Sequence, residues 1–413
     1  MANTTRCNGS CRQFSLAQTY VDEMKDDATI KSFEGLRGIA ALLVAVYHFN
    51  GFLRQGSIVE SFYLLVDLFF ILSGFVIHRA YRDRLSSWRE FAHFMIRRIG
   101  RLYPLHVFAA VFFVGVTCSS RLLKAAMLHF GLGAALGSVQ TGAIGLPGVS
   151  EVLTNLLLLQ GMGPFSHFEI NGPSWSISTE FYAYIALALA ILVLKPRLRM
   201  PAFFVIAVAG LVLAFYGSVD VDRCLRLGHC LDSHLEYAFP RCLGGFFLGA
   251  IAERLSATMT PVRQSTLSII QILASGAAIF VMSRSVTMPA YAFLAVFAFF
   301  VVVLTLARDS GPLAVLLKAR VCQFLGKISY SIYLIHAPLV FIGHVTLKPL
   351  PLAVKLLVLL GYLAVVIGIS TQTYRFIESP GRDVARRLSN RLFRGRPKPF
   401  NQEAGPGRAA ELR

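Results

Sequence analysis

His48 follows Arg37 by eleven residues, in the segment opened by Phe33-Glu34-Gly35-Leu36-Arg37-Gly38. On a helix, eleven residues return to within about 20° of the same face and rise about 16 Å. Read as a helix, the segment therefore carries one polar stripe from its charged start deep into an apolar run, past the small residues Ala41 and Ala45. A neutral imidazole at that depth can act as a general base or an acyl acceptor near neutral pH. The plainer alternatives are a basic flank for Arg37 and a satisfied core histidine for His48. Two such residues on one face, with Glu34 close to it, favour chemistry.

Four further groups lie where charge is expensive. Asp67 interrupts Val66-Asp67-Leu68-Phe69-Phe70-Ile71-Leu72-Ser73-Gly74-Phe75. A lone carboxylate there needs a partner, His48 or an arginine, unless it is simply a structural buried pair. Ser73-Gly74 offers a small patch for close helix approach. Arg98 and Arg101, in Arg97-Arg98-Ile99-Gly100-Arg101, are three apart and share a helix face. Two guanidiniums so placed can clamp a phosphate, although anchoring at a membrane surface explains basic residues equally. Glu180 follows Pro173-Ser174-Trp175-Ser176-Ile177-Ser178-Thr179, good helix-start chemistry, but lies deeper than a cap needs. Ser329, Tyr333 and His336 fall on one face of Ile328–His336, as a cavity lining or as a hydrogen-bond stripe between helices.

The elements that position these residues are membrane helices. Of 413 residues, 55% are hydrophobic and 15% charged, with mean hydropathy +0.61, against roughly 25% charged in soluble domains. Apolar runs of spanning length predict helices at about 36–53, 61–79, 103–120, 174–194, 201–218, 238–254, 266–283, 288–307, 328–346 and 352–374. The expected fold is an all-α polytopic bundle of about ten transmembrane helices. Between the third and fourth spans, 125–137 and 152–160 are too short to cross and read as re-entrant or interfacial pieces, with irregular backbone around Gly137, Gly142, Gly145 and Gly148.

With the N-terminus inside, inner segments carry 25 Lys and Arg against eight outside, Arg241 being counted among the eight. That bias places both termini in the cytoplasm and explains the net charge of +18 without nucleic acid. Residues 1–31 read as a polar tail and 32–379 as the membrane domain. Residues 380–413 read as a basic tail, disordered near anionic lipid. No cleavable signal peptide is expected, so the first span serves as the insertion signal. Of seven cysteines, Cys224 and Cys230 share one polar loop and can pair if it is extracytoplasmic; free thiols are the alternative. His229, Asp232 and His234 match no standard metal spacing, and no metal is expected.

With these residues the chain resembles the acyltransferase-3 family of membrane acyltransferases, over about residues 32–387. The resemblance rests on Arg37 with His48, Val66–Phe75, Arg98 with Arg101, Pro173–Glu180, Ser329–His336 and Arg375-Phe376-Ile377-Glu378-Ser379-Pro380, in the family's order. Glu34, Thr179 and Ser379 depart from the commoner Asp, Val and Lys without touching the chemistry. No esterase-like domain is expected after the last span. The resemblance implies a cytoplasmic acyl-CoA donor, acetyl-CoA foremost, with Arg98 and Arg101 on its phosphates. It implies His48 as base or acyl carrier, with Arg37, Asp67 and Glu180 orienting it or stabilising charge. Trp175, Ser176, Tyr333 and His336 become substrate-binding candidates. The implied acceptor is a hydroxyl of a cell-surface or secreted glycan or glycolipid, and the implied place is the bacterial inner membrane. The rival reading is a transporter or flippase for a small anion or lipid-linked sugar. Against it, no pair of interrupted helices recurs in the two halves. A structural or sensor protein would not need so many polar residues inside spans.

Overall fold

A computed structural model describes residues 30–49, 58–130, 146–168, 170–232, 236–259, 262–342 and 351–393. Cys7 and Cys11, the span ends at 50–53 and 343–346, Gly137, Gly142, Gly145, His234 and the tail beyond Phe393 lie outside them. Among the described residues every regular element is a helix, and there is no strand. The first described helix is α1 (Lys31–Phe49). A 3₁₀ turn, Ile58–Leu64, leads into α2 (Leu65–Tyr81), followed by α3 (Trp88–His129) and α4 (Val149–Leu156). Next come α5 (Ser174–Val193), α6 (Pro196–Tyr216), the short α7 (Cys224–Leu227), α8 (Ala238–Thr258), α9 (Gln264–Ser285) and α10 (Ala292–Leu306). The chain continues through α11 (Pro312–Leu317), α12 (Arg320–Lys327), α13 (Ser329–Ile342), α14 (Leu352–Thr373) and α15 (Ser379–Leu392).

Seven helical stretches among the described residues are long and apolar enough to cross a membrane: Ile58–Tyr81, Trp88–Leu123, Ser174–Val193, Pro196–Val221, Gln264–Ser285, Pro289–Leu306 and Leu352–Leu392. Large apolar side chains stand exposed along α6, α9 and α14, among them Phe204, Val212, Ile272, Leu273, Leu357 and Leu360. In water such a surface would aggregate, whereas lipid solvates it. The three remaining expected spans coincide with α1, α8 and α13. Lys31, Glu34 and Arg37 lie in α1, and Arg241, Glu253 and Arg254 in α8, while α13 is described over 14 residues.

These polar helices pack inside the bundle. The glycines of α2 and α8 let two backbones meet: a Cβ on Gly74 would strike the Phe246 carbonyl, and one on Gly249 the Ile71 carbonyl. Such small-residue contacts are how helices associate where lipid supplies no hydrophobic drive. α1 lies against α12 and α13.

Two elements differ from the sequence reading. The third span, expected at 103–120, is the middle of a 42-residue helix, about 60 Å long at 1.5 Å per residue and twice a bilayer's apolar depth. Hydropathy marks only its apolar middle, and the helix continues through the polar turns Trp88–Arg101 and on to His129. The segment from 380, expected to be disordered, is helical as far as Leu392. α15 docks on α3, with Ala385 against Gly100. There Arg97 donates to Ser389 Oγ at 3.3 Å and to Asn390 Oδ1 at 3.0 Å.

Candidate active site

The polar side chains form two layers, separated along α1 by the rise of about 16 Å from Arg37 to His48. In the Arg37 layer, Glu180 of α5 faces α2. Ser73 Oγ and Tyr184 OH both donate to Glu180 Oε1. Arg98 of α3 lies among rings, 5.7 Å from the centroids of Tyr81 and Phe94 and 5.8 Å from that of Tyr184. Its Nε is buried without a hydrogen-bond partner, and among the described residues Arg98 forms no ion pair. Arg101, one turn on, donates to Glu378 Oε1 at 3.1 Å, and Ser331 Oγ donates to Glu378 Oε2 at 2.8 Å. Glu378 is fully covered, so its charge is held by these contacts. Arg37 approaches Glu34 at 4.0 Å.

In the His48 layer, His48 Nδ1 lies 2.9 Å from the Val44 carbonyl and 3.2 Å from Nε2 of His336 on α13. His48 is exposed, and His336 is fully buried. Ser176 and Tyr333 share a hydrogen bond of 2.7 Å, and the Tyr333 ring lies 5.9 Å from that of His336. Asp67 is engaged elsewhere. Arg241 of α8 donates to Asp67 Oδ1 from Nε at 2.9 Å and to Oδ2 from Nη2 at 2.7 Å. Both side chains are buried, and the guanidinium lies 5.5 Å from the Trp175 ring. Above this layer Cys224 and Cys230 form a disulfide, and Tyr63 OH donates to the Cys230 carbonyl at 2.7 Å. The Tyr63 ring leads down to Tyr47, 5.8 Å away, which packs edge-on against His48 at 5.0 Å.

Comparison with known proteins bears on this arrangement. An acyltransferase domain model matches residues 30–375, which contain every candidate residue. The chain belongs to the acyltransferase-3 family. It is a membrane acyltransferase. Protein 2 of the picA locus of Rhizobium radiobacter is 43% identical over 77 residues, covering 18% of this chain and 39% of that protein. BcsY of Komagataeibacter xylinus, a membrane-bound transacylase by name, is 26% identical over 86% of this chain and 84% of its own length. The O-acetyltransferase OatA of Staphylococcus aureus is 24% identical over 88% of this chain, which covers 58% of OatA. No solved structure matches.

Within this acyltransferase-3 domain the structure sorts the expected residues by partner. It brings His48 to His336, Ser176 to Tyr333, and Arg98 to Glu180 through Tyr184. It does not bring Asp67 to His48, and it splits Arg98 from Arg101, whose guanidinium is paired with Glu378. Glu180 caps nothing; Pro173 precedes α5 without a side-chain cap. Two partners and one separate cluster were not assigned from sequence. Arg241, counted among the outside charges, is buried in the first turn of α8. Glu378 lies inside Arg375–Pro380, which carried the resemblance but no role. His78, Arg82 and Glu253 form a further cluster, with His78 and Glu253 buried and Arg82 partly exposed, in which His78 Nδ1 and Arg82 Nη1 lie 2.7 and 2.6 Å from the Glu253 carboxylate. An ionisable residue inside an apolar run is the signal that would have found Arg241, His78 and Glu253. Among the described residues no group of three or more potential metal ligands lies together.

Proposed function

We propose that this acyltransferase transfers an acetyl group from acetyl-CoA to a hydroxyl of a cell-surface or secreted glycan or glycolipid. In this reading α1, α8 and α13 cross the membrane with the seven apolar helices. Both termini and the Arg37 layer face the cytoplasm, in a bacterial inner membrane. The donor enters there, with a phosphate on Arg98, while Arg101 stays paired with Glu378. Arg98 fits the role because, among the described residues, its buried Nε has no partner and it forms no ion pair. The pantetheine arm spans the distance between the layers and brings the thioester to His48. His48 takes the proton from the acceptor hydroxyl, and the oxygen attacks the thioester carbonyl. The C–S bond then breaks, and the thiolate leaves with the proton from His48. Glu180 and Arg37 set the field along that path, and Ser176 and Tyr333 bind the acceptor. Membrane lipid surrounds the bundle, and no bound metal takes part.

The observation that carries the reading is His48: an exposed imidazole at the end of α1, on a helix that buries Val44, Ala45 and Phe49 around it. The test is thiol release from acetyl-CoA by the purified protein in nanodiscs, with and without a cell-envelope glycan extract. We expect release that depends on the extract and falls by about 10³-fold in His48→Ala, at unchanged protein level. Equal release in His48→Ala removes the histidine from the chemistry. No turnover by folded wild-type protein favours the transporter.

A further inference from the structure

The two histidines of the upper layer have hydrogen-bond partners that decide where their protons sit. His336 Nδ1 lies 3.2 Å from the Ile332 carbonyl, and His48 Nδ1 lies 2.9 Å from the Val44 carbonyl. A carbonyl can only accept, so each Nδ1 must be the protonated nitrogen of its ring. In the neutral form Nε2 of His336 is then a bare lone pair. Within hydrogen-bond distance it has His48 Nδ1, at 3.2 Å. The His48 Nδ1–H is therefore shared between the Val44 carbonyl and His336 Nε2. The same assignment leaves His48 Nε2 as a lone pair, without a hydrogen bond among the described residues.

We propose that His336 is a positioning residue for His48 rather than a contact for substrate. Both of its ring nitrogens are occupied, by the Ile332 carbonyl and by His48, and it is 0% exposed, whereas His48 is exposed. Its ring is held by the Ile332 carbonyl and by the neighbouring Tyr333 ring, and Tyr362 OH donates to its backbone carbonyl at 3.1 Å. Fixed in this way, its lone pair does two things. It holds the His48 ring, through a second acceptor, in the orientation that presents Nε2. When Nε2 takes a proton, the positive charge spreads to Nδ1–H, and the hydrogen bond to His336 becomes charge-assisted. The arrangement does with a neutral acceptor what a carboxylate does for the histidine of a hydrolase triad. The alternative is a core histidine satisfied by Ile332, which would leave turnover insensitive to the lone pair.

The catalytic part of the proposal rests on the acyl-transfer reading above; the proton assignment does not. Two measurements separate them. In the thiol-release assay, His336→Leu removes the acceptor, while His336→Gln places an oxygen the same number of bonds from Cα as Nε2. We expect His336→Leu to lower kcat by about 100-fold with little change in KM for acetyl-CoA, and His336→Gln to recover most of the loss. His336→Leu at the wild-type rate, or His336→Gln as slow as a well-folded His336→Leu, overturns the positioning role. Independently, ¹⁵N-histidine NMR of wild-type protein in lipid should show Nδ1 protonated on both rings and a coupling between His48 Nδ1 and His336 Nε2 across the hydrogen bond. A proton on His48 Nε2 in the neutral state overturns the assignment whatever the assay gives. An inactive wild-type protein with the NMR signature intact places the failure in the acyl-transfer reading.

Discussion

Arg98 and Arg241 both lie against aromatic rings inside this bundle, and among the described residues only Arg241 of the two has a carboxylate. Arg241 sits beside Trp175 and donates two hydrogen bonds to Asp67, with both side chains almost fully covered. Arg98 sits among Tyr81, Phe94 and Tyr184, has no ion pair among the described residues, and leaves its Nε without a partner. Ring faces soften the cost of a desolvated cation but do not remove it. The Asp67–Arg241 pair is closed: the two charges neutralise each other through two hydrogen bonds. The Arg98 site is open: among the described residues no carboxylate pairs with it, and its natural complement is an anion. Closed pairs hold helices together, and open charges await a ligand.

The largest effect should come from breaking the closed pair. Asp67→Ala leaves Arg241 buried and uncompensated, and losing one partner of a buried pair costs about 3–5 kcal/mol. We expect a sharp fall in the amount of folded protein and in its melting temperature in detergent. The double variant Asp67→Leu with Arg241→Met, which removes both charges, should recover much of the fold. If Asp67→Ala melts like wild type and loses only turnover, the pair is part of the chemistry and the contrast with Arg98 fails.

Arg98 should behave in the opposite way. A charge-assisted hydrogen bond is worth about 1.5–3 kcal/mol, so Arg98→Ala should raise KM for acetyl-CoA by about 10–100-fold. Its melting temperature should stay near wild type, because no carboxylate is left unpaired. Arg98→Lys keeps the charge without the fork and should fall between. A large loss of stability with unchanged KM would make Arg98 a structural cation like Arg241.

The contrast also explains how far the sequence was legible. The polar positions could be read, because a charge inside an apolar run stands out, and helical spacing put Tyr333 and His336 on one face of α13. Their partners could not be read. Asp67 and Arg241 are 174 residues apart, Arg101 and Glu378 277, and His48 and His336 288. Periodicity fixes which residues share a face, but it carries nothing about which helix that face meets. Arg241 was lost for a second reason: at the first turn of a span, interface anchoring explains an arginine as well as burial does. α15 was lost because a basic, polar segment reads as a tail until Ala385 is seen against Gly100. The polar helices α1 and α8 fall short of the seven apolar ones because the charges that make the site also break the hydropathy signal.

The smallest effect lies at the rim, where the same pairing of acid and base is half in water. Asp309 accepts from the Ser32 backbone N–H at 2.8 Å, at the start of α1, and its carboxylate lies 3.0 Å from Lys318 Nζ. It therefore secures the helix end that carries Glu34 and Arg37. Partial burial pushes this carboxyl up, but the Ser32 hydrogen bond and the Lys318 ammonium outweigh it and hold the group below its ordinary value. A depressed carboxyl contributes stability above its unfolded value, and that contribution is lost as pH falls through the folded one. So the contribution of Asp309 is complete at neutral pH and fades only in acid. Because both partners are partly exposed, it is worth about 1 kcal/mol or less. Asp309→Asn should lower the neutral-pH melting temperature slightly and flatten its acid dependence, leaving KM for acetyl-CoA unchanged. A loss as large as that of Asp67→Ala would mean that depth does not set the strength of these pairs.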